Sequence, residues 1–298
     1  MRYPAHMTLE LTAKCNFRCP YCYCVWHEYP QLAKPELETA GWKAILDRCA
    51  ADGVNDILFT GGEALLRPDL FAILGHARRV LPDANLSLFT NASRLTEPLI
   101  KRLKRRRIHL ATSLQGLASY GAMTGTRRSY RRLLTVLARA AELHWPLAVS
   151  MTITRANRDE AAEMFAAAAL SGAKTIQIGP MMAGGRALAH PELMVSRGEW
   201  ETVKARIRAL PDARVPYSFC DEFICVCRSD TPESLLARWG DPDREPCPAG
   251  KSFGVIGPNG RYRTCLHTLP QAEETTNAIE TASGVSAVIE YTQNGDTM

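Results

Sequence analysis

The 298-residue chain reads as an α/β fold, in which a parallel sheet with crossover helices is followed by a smaller C-terminal extension. Short apolar runs alternate with longer stretches of helical spacing, six strand candidates precede Pro180, and charge and cysteine content change beyond residue 210. The strands are expected at 7–11, 56–60, 85–89, 108–113, 147–152 and 175–178, and helices at 39–50, 68–80, 97–105, 130–144 and 158–171. Six strands fall short of a closed eight-unit barrel of about 250 residues. We therefore place one domain at 1–210 and the extension at 211–298.

The first strand feeds a loop with Cys15, Cys19 and Cys22 at C-x3-C-x2-C spacing, and Tyr21 stands just before the third. Three thiolates on one loop can hold three irons of a [4Fe–4S] cube and leave the fourth iron open to a small molecule. A zinc knuckle completed by Cys24 is the competing reading, but paired C-x2-C spacings are the commoner zinc signature. The second strand runs into Gly61-Gly62-Glu63. Two residues without Cβ admit a close backbone approach to a ligand, and Glu63 offers a carboxylate to an ammonium group. Active sites of such barrels lie at the carboxyl ends of strands, where Thr90, Asn91, Ser113, Gln115, Thr152 and Gln177 stand. Glu10 on the first strand needs a partner if it faces inward. Cys24 reads as a buried or supporting thiol, Cys49 as core beside Ile45, Leu46 and Ala50, and His27 and Glu28 as a solvated turn.

Together these features resemble the radical S-adenosylmethionine (SAM) superfamily. The resemblance implies an open, partial (β/α)6 barrel in which the amino and carboxyl groups of SAM chelate the free iron. A reduced cluster of that kind cleaves SAM to a 5′-deoxyadenosyl radical that abstracts hydrogen from a C–H bond. Tyr21, Gly61, Gly62, Glu63, Asn91, Gln115, Thr152 and Gln177 are then expected around the cofactor. Ser113 would touch the SAM carboxylate or ribose, and Arg127, with Arg128 close behind, would pair with the carboxylate.

Residues 1–210 carry 29 basic and 18 acidic side chains, whereas 211–298 carry 7 and 13. An acidic extension at the barrel mouth favours a cationic substrate, with Glu10, Asp221, Glu222 and Asp230 as candidate contacts. The basic run at 101–107 lacks interleaved aromatics and reads as a solvated helix face, so no nucleic-acid partner is expected. No apolar run near 18 residues occurs, which leads us to expect no membrane span and a cytoplasmic protein.

Cys220, Cys225, Cys227, Cys247 and Cys265 form a second set. A strand, a Pro-Asn-Gly turn at 258–260 and a second strand bring Cys247 and Cys265 within reach of one site. The segment resembles the start of SPASM and twitch auxiliary-cluster domains, but no further cysteine follows Cys265. That implies one auxiliary [4Fe–4S] cluster with five candidate ligands for four irons. On one reading Cys247 and Cys265 both ligate. On the other, Cys220, Cys225, Cys227 and Cys265 hold the cluster and Cys247 is a free catalytic thiol that returns hydrogen to a carbon radical. Small twitch-type members act in aminoglycoside biosynthesis, as an amino-cyclitol dehydrogenase and as the neomycin epimerase. The expectation is therefore an epimerase of an amino-sugar, served by an external one-electron reductant of flavodoxin or ferredoxin type. A dehydrogenase, a peptide maturase and a non-enzymatic Fe–S carrier are the alternatives.

Overall fold

Each predicted strand forms within one or two residues of its expected bounds: β1 (His6–Glu10), β2 (Asp56–Thr60), β3 (Asn85–Phe89), β4 (Ile108–Ser113), β5 (Ala148–Ile153) and β6 (Thr175–Pro180). The computed structural model describes residues 2–182, 184–210, 215–220 and 249–267. The expected helices appear as α1 (Thr39–Asp52), α2 (Leu70–Val80), α3 (Glu97–Arg105), α5 (Tyr130–Glu142) and α6 (Ala161–Leu170). Two more are α4 (Tyr120–Thr124) and α7 (Arg197–Arg208). The start of α7 is legible in hindsight: Ser196 and Glu199 form a reciprocal capping box. The five residues of α4 sit between Gly116 and Gly125, and that glycine framing conceals them from a periodicity search.

The sheet runs on at both edges. Its order is β7-β6-β5-β4-β3-β2-β1-β8-β9, where β7 is Tyr217–Phe219, β8 is Phe253–Ile256 and β9 is Tyr262–Arg263. All pairings are parallel except β8 with β9, which form the hairpin expected around the Pro-Asn-Gly turn. The stretch beyond residue 210 thus contributes strands to both ends of one open sheet. Parallel neighbours require long crossovers, and the helices supply them.

Alternation along each strand separates two faces. Leu9, Phe59, Leu88, Leu110, Met151 and Ile178 are at most 2 % exposed and face the helices, with Trp42, Phe165 and Trp200 filling the layer. Each such side chain contributes about 1.5–3 kcal/mol on burial. The opposite face is more polar. Register places Ser113, Ser150, Gln177 and Ser218 in one row across β4 to β7. Among the described residues no helix is long and apolar enough to cross a membrane.

Candidate active site

The cysteine loop leaves β1 through Leu11, whose N–H donates to the Thr60 carbonyl at 2.9 Å. The pairing then continues into the glycine pair: Gly62 N–H reaches the Thr12 carbonyl at 2.6 Å and Glu63 N–H the Lys14 carbonyl at 2.8 Å. A Cβ on Gly61 or Gly62 would collide with those two carbonyls. The backbone that comes close is therefore the chain's own cysteine loop, a different reason for glycine than the ligand approach expected from sequence. Glu36 and Arg67 brace the same exit. Glu36 accepts from the Thr12 hydroxyl and from Ala13 N–H, both at 2.9 Å, and Arg67 Nη1 donates to the Leu11 carbonyl at 2.7 Å.

Glu63 is 1 % exposed and its carboxylate is well supplied. The Thr90 hydroxyl donates at 2.7 Å, Asn91 N–H at 2.7 Å and Leu65 N–H at 3.0 Å. Burial pushes its pKa up against these donors. One lone pair of Oε2 is left over for a further donor. Asn91 links this carboxylate to the cysteine loop, since its Nδ2 donates to Asn16 Oδ1 at 2.9 Å.

The three thiols of Cys15, Cys19 and Cys22 are half-buried and lie within electrostatic reach of one another. Burial pushes Cys15 up and Cys19 up to about 12, with Arg186 the cation that opposes both shifts. Tyr21 is hydrogen-bonded to Cys19, and burial raises its phenol well above its ordinary value. Phe17 N–H points at Cys15 Sγ at 3.4 Å. The Cys22 thiol pairs with Cys24 and His27, which hold it below its ordinary value. Among the described residues no three His, Cys, Asp or Glu side chains converge on a single-ion site. Three thiols on one short loop suit a multi-iron cube, in which each binds a different iron. The donor set fits a [4Fe–4S] cluster.

Gln115 and Thr152 spend their polar atoms on each other: Gln115 Oε1 accepts Thr152 N–H at 2.7 Å and its Nε2 faces Thr152 Oγ1 at 3.4 Å. They tie the ends of β4 and β5 together. Ser113 and Gln177 lie in the polar row of the open face, and Arg127 and Arg128 lie exposed between α4 and α5. Cys220 follows β7, its N–H on the Ile178 carbonyl at 2.8 Å, and Cys265 is buried just after β9. Cys225, Cys227, Cys247, Asp221, Glu222 and Asp230 lie outside the described residues.

Glu10 does not await a cationic substrate. It is 2 % exposed, ion-paired with Arg263 of β9, and accepts from the Trp26 indole N–H at 2.9 Å. A segment that the sequence reading passed over, Gly184–Ala187, presses on the other side of the loop. Gly185 has φ +54°, a Cβ on it would strike the carbonyls of Cys22 and Cys24, and its N–H donates to Glu28 at 2.8 Å. Two adjacent glycines just past β6, followed by an arginine, are the signal that could have found it. His267 reaches the same place, with its ring 4.9 Å from that of Tyr23.

Residues 9–168 match the family described as the Radical SAM superfamily. The chain belongs to the radical SAM superfamily. Membership brings SAM and a [4Fe–4S] cluster as its cofactors. The chain is 30 % identical over 269 residues to the PqqA peptide cyclase of Gluconobacter oxydans, covering 88 % of this chain and 70 % of that protein. It is 31 % identical over 291 residues to the PqqA peptide cyclase of Streptomyces rochei, covering 92 % and 78 %. In fold it is similar to Streptococcus suis SuiB bound to precursor peptide SuiA, with TM-score 0.73, 15 % identity, and 94 % of this chain on 63 % of that one. It is also similar to anSMEcpe with bound AdoMet, with TM-score 0.67, 13 % identity, and coverages of 93 % and 75 %. The chain thus spans just under two thirds of SuiB.

These radical SAM relatives overturn the expected epimerase and its cationic amino-sugar. They are named for a peptide substrate, and the inward carboxylate that suggested a cation, Glu10, is already neutralised within the fold.

Proposed function

We propose that this radical SAM protein is a peptide-modifying enzyme that forms a covalent link within a peptide. The observation that carries the reading is identity of 30–31 % with PqqA peptide cyclases over 88–92 % of the chain, a length that takes in most of the C-terminal stretch as well as the barrel. The open face supports it. A cavity of about 540 Å³ there is lined by Ser87, Phe89, Ser150, Thr175, Gln177 and Ser218 among others, with no ionisable carboxylate or amine. Hydroxyls and an amide suit peptide groups, whereas a polycation would require carboxylates.

In this reading Cys15, Cys19 and Cys22 hold the cluster, which with SAM supplies a hydrogen-abstracting 5′-deoxyadenosyl radical. Glu63, through its remaining lone pair, receives the SAM ammonium, while Gly61, Gly62, Asn91, Gln115 and Thr152 hold the strand ends around it. Ser113, Gln177 and Arg127 complete the cofactor site from β4, β6 and the α4–α5 connection. Cys220 and Cys265, with partners among Cys225, Cys227 and Cys247, provide one auxiliary cluster. Because Cys220 follows β7 at one sheet edge and Cys265 follows β9 at the other, such a cluster would tie the two edges together. Link formation would remove two hydrogens from the peptide: one would pass as an atom to the 5′-deoxyadenosyl radical, giving 5′-deoxyadenosine, and the other would leave as a proton to solvent and an electron to the auxiliary cluster.

The test is anaerobic turnover of iron- and sulfide-reconstituted protein with SAM, dithionite and short peptides, PqqA first, read by mass spectrometry. A peptide two mass units lighter, formed with equimolar 5′-deoxyadenosine, is expected. SAM cleavage that no peptide stimulates, beside conversion of a small molecule, would reject the reading.

A further inference from the structure

We propose that a strip of arginines beside the cysteine loop docks an acidic segment of the substrate peptide, an inference that rests on the peptide reading above. Seven exposed cations line this edge, of which Arg127 serves the cofactor site proposed above and the other six form the strip. Lys14 and Arg18 are on the loop after β1, Arg94 follows β3, and Arg127, Arg128, Arg131 and Arg132 lie at the α4–α5 connection beyond β4.

Backbone and side-chain contacts place these on one continuous surface. Arg18 N–H donates to the Thr124 carbonyl at 3.1 Å, which seats the loop on the end of α4. Arg132 Nη2 donates to the Ser93 carbonyl at 3.3 Å, and the Ser93 hydroxyl accepts from Asn16 Nδ2 at 2.8 Å. Arg18 stands directly before Cys19, so the strip borders the cluster ligands.

Some arginines elsewhere find acids, Arg139 with Glu97 and Glu142, Arg155 and Arg158 with Glu199, and Arg206 with Asp159, whereas exposed Arg105, Arg197 and Arg208 make no ion pair with a described residue but are scattered over α3 and α7. None of the seven makes an ion pair with any described residue. Residues 11–27, 88–96 and 113–141 contain no Asp or Glu at all. Arg131 and Arg132 add a second conflict, since the first turn of α5 holds no acid and its macrodipole is already positive there. Like charges gathered in this way repel one another and raise the local affinity for an anionic partner. The cations follow the ends of β1, β3 and β4 in turn, so they run along the barrel mouth as a strip. An extended acidic peptide covers a strip and leads its neighbouring residues to the cysteine loop.

Fluorescence anisotropy on the reconstituted protein tests this with two labelled probes, a Glu/Gly dodecapeptide and its Gln/Gly analogue. The Arg18→Glu/Arg128→Glu/Arg131→Glu variant leaves Arg127 intact for the cofactor. The control, Arg105→Glu/Arg197→Glu/Arg208→Glu, makes the same charge change on α3 and α7. Iron content and melting temperature verify that both variants fold. The strip variant should lose about tenfold or more in affinity for the Glu probe at low salt, with the loss fading at high salt, while the control stays within about twofold. Equal losses in both variants, or equal binding of the two probes, would overturn the proposal. Displacement of the Glu probe by a flavodoxin, with no effect of the strip variant on peptide turnover, would also overturn it and make the strip an electron-donor site. If the wild type binds the Glu probe as expected but modifies no peptide, the peptide reading falls and the strip serves some other acidic partner.

Discussion

Replacing Arg263 with leucine should unlatch the β8–β9 hairpin from β1. Glu10 and Arg263 are 2 % and 3 % exposed, and the guanidinium carbon lies 4.8 Å from the Trp26 ring centroid while the indole N–H shares the carboxylate. Removing one partner of a buried ion pair costs about 3–5 kcal/mol, because the other charge stays behind without compensation. Leucine restores part of the lost apolar packing, so the lower end of that range is expected. Adding Glu10→Gln removes the stranded charge and keeps an acceptor for Trp26, and it should recover about 2 kcal/mol or more as a coupling energy.

The assay is urea unfolding of the four proteins of the cycle, compared at constant slope. Its pH dependence is a second readout. Burial raises the Glu10 pKa while Arg263 lowers it, so without the arginine the folded-state value climbs further above the unfolded one. The folded variant then binds a proton that the unfolded chain has released, and its stability falls as pH rises through that window. The deficit of Arg263→Leu should therefore be greatest at neutral and alkaline pH and shrink on acidification. A single-variant cost below about 1 kcal/mol at neutral pH, typical of a solvent-screened pair, would refute the buried-pair reasoning. So would a double variant no better than the single.

Changing any one of Cys15, Cys19 or Cys22 to alanine should remove most cluster iron and abolish 5′-deoxyadenosine formation while the far-ultraviolet circular dichroism stays intact; iron and sulfide analysis checks this. Gly62→Ala forces a methyl group into the Lys14 carbonyl and should destabilise the fold by about 1–3 kcal/mol, measured by chemical denaturation. Glu63→Gln turns an amide toward a backbone N–H and should weaken SAM binding about tenfold, by calorimetry, for a loss of one charged acceptor. Gly185→Val meets both strain at φ +54° and the carbonyls of Cys22 and Cys24, so iron retention after gel filtration should fall although no ligand is changed.

Strands β1 to β6 were legible because each is a short apolar run closed by a polar residue or turn, and the covering helices repeat at helical spacing. β7 was hidden because three residues, Tyr217–Phe219, cannot display a period. The cysteine ligands were legible from spacing, since neighbours on one loop need no tertiary knowledge. Glu10 was misassigned for the opposite reason. Its partner Arg263 lies 253 residues away, and only the parallel pairing of β8 with β1 brings them together. The substrate was misjudged by the same route, because net charge in residues 211–298 says nothing about which carboxylates face the site.

The placement of glycines carries the synthesis further. Gly61-Gly62 press on the loop at Thr12 and Lys14, before the cysteines, and Gly184-Gly185 press on it at Cys22 to Cys24, after them. The loop has little regular hydrogen bonding of its own, apart from Cys22 N–H to the Cys19 carbonyl at 3.3 Å. Its shape is therefore imposed from outside: at its two ends by β2 and β6, and between them by the bonds of Asn16 to the end of β3 and of Arg18 to α4. The spacing of the three thiols then depends on sheet curvature: if β6 shifts relative to β2, the second clamp moves and Cys22 moves with it. Substrate bound on the open face of β4 to β7 touches the very strands that set this curvature. Peptide binding should accordingly alter the electronic environment of the cluster, and a peptide-induced change in its electron paramagnetic resonance spectrum, lost in Gly185→Val, is the expected sign. An unchanged spectrum with saturating peptide would show that the clamps hold the loop independently of the strands.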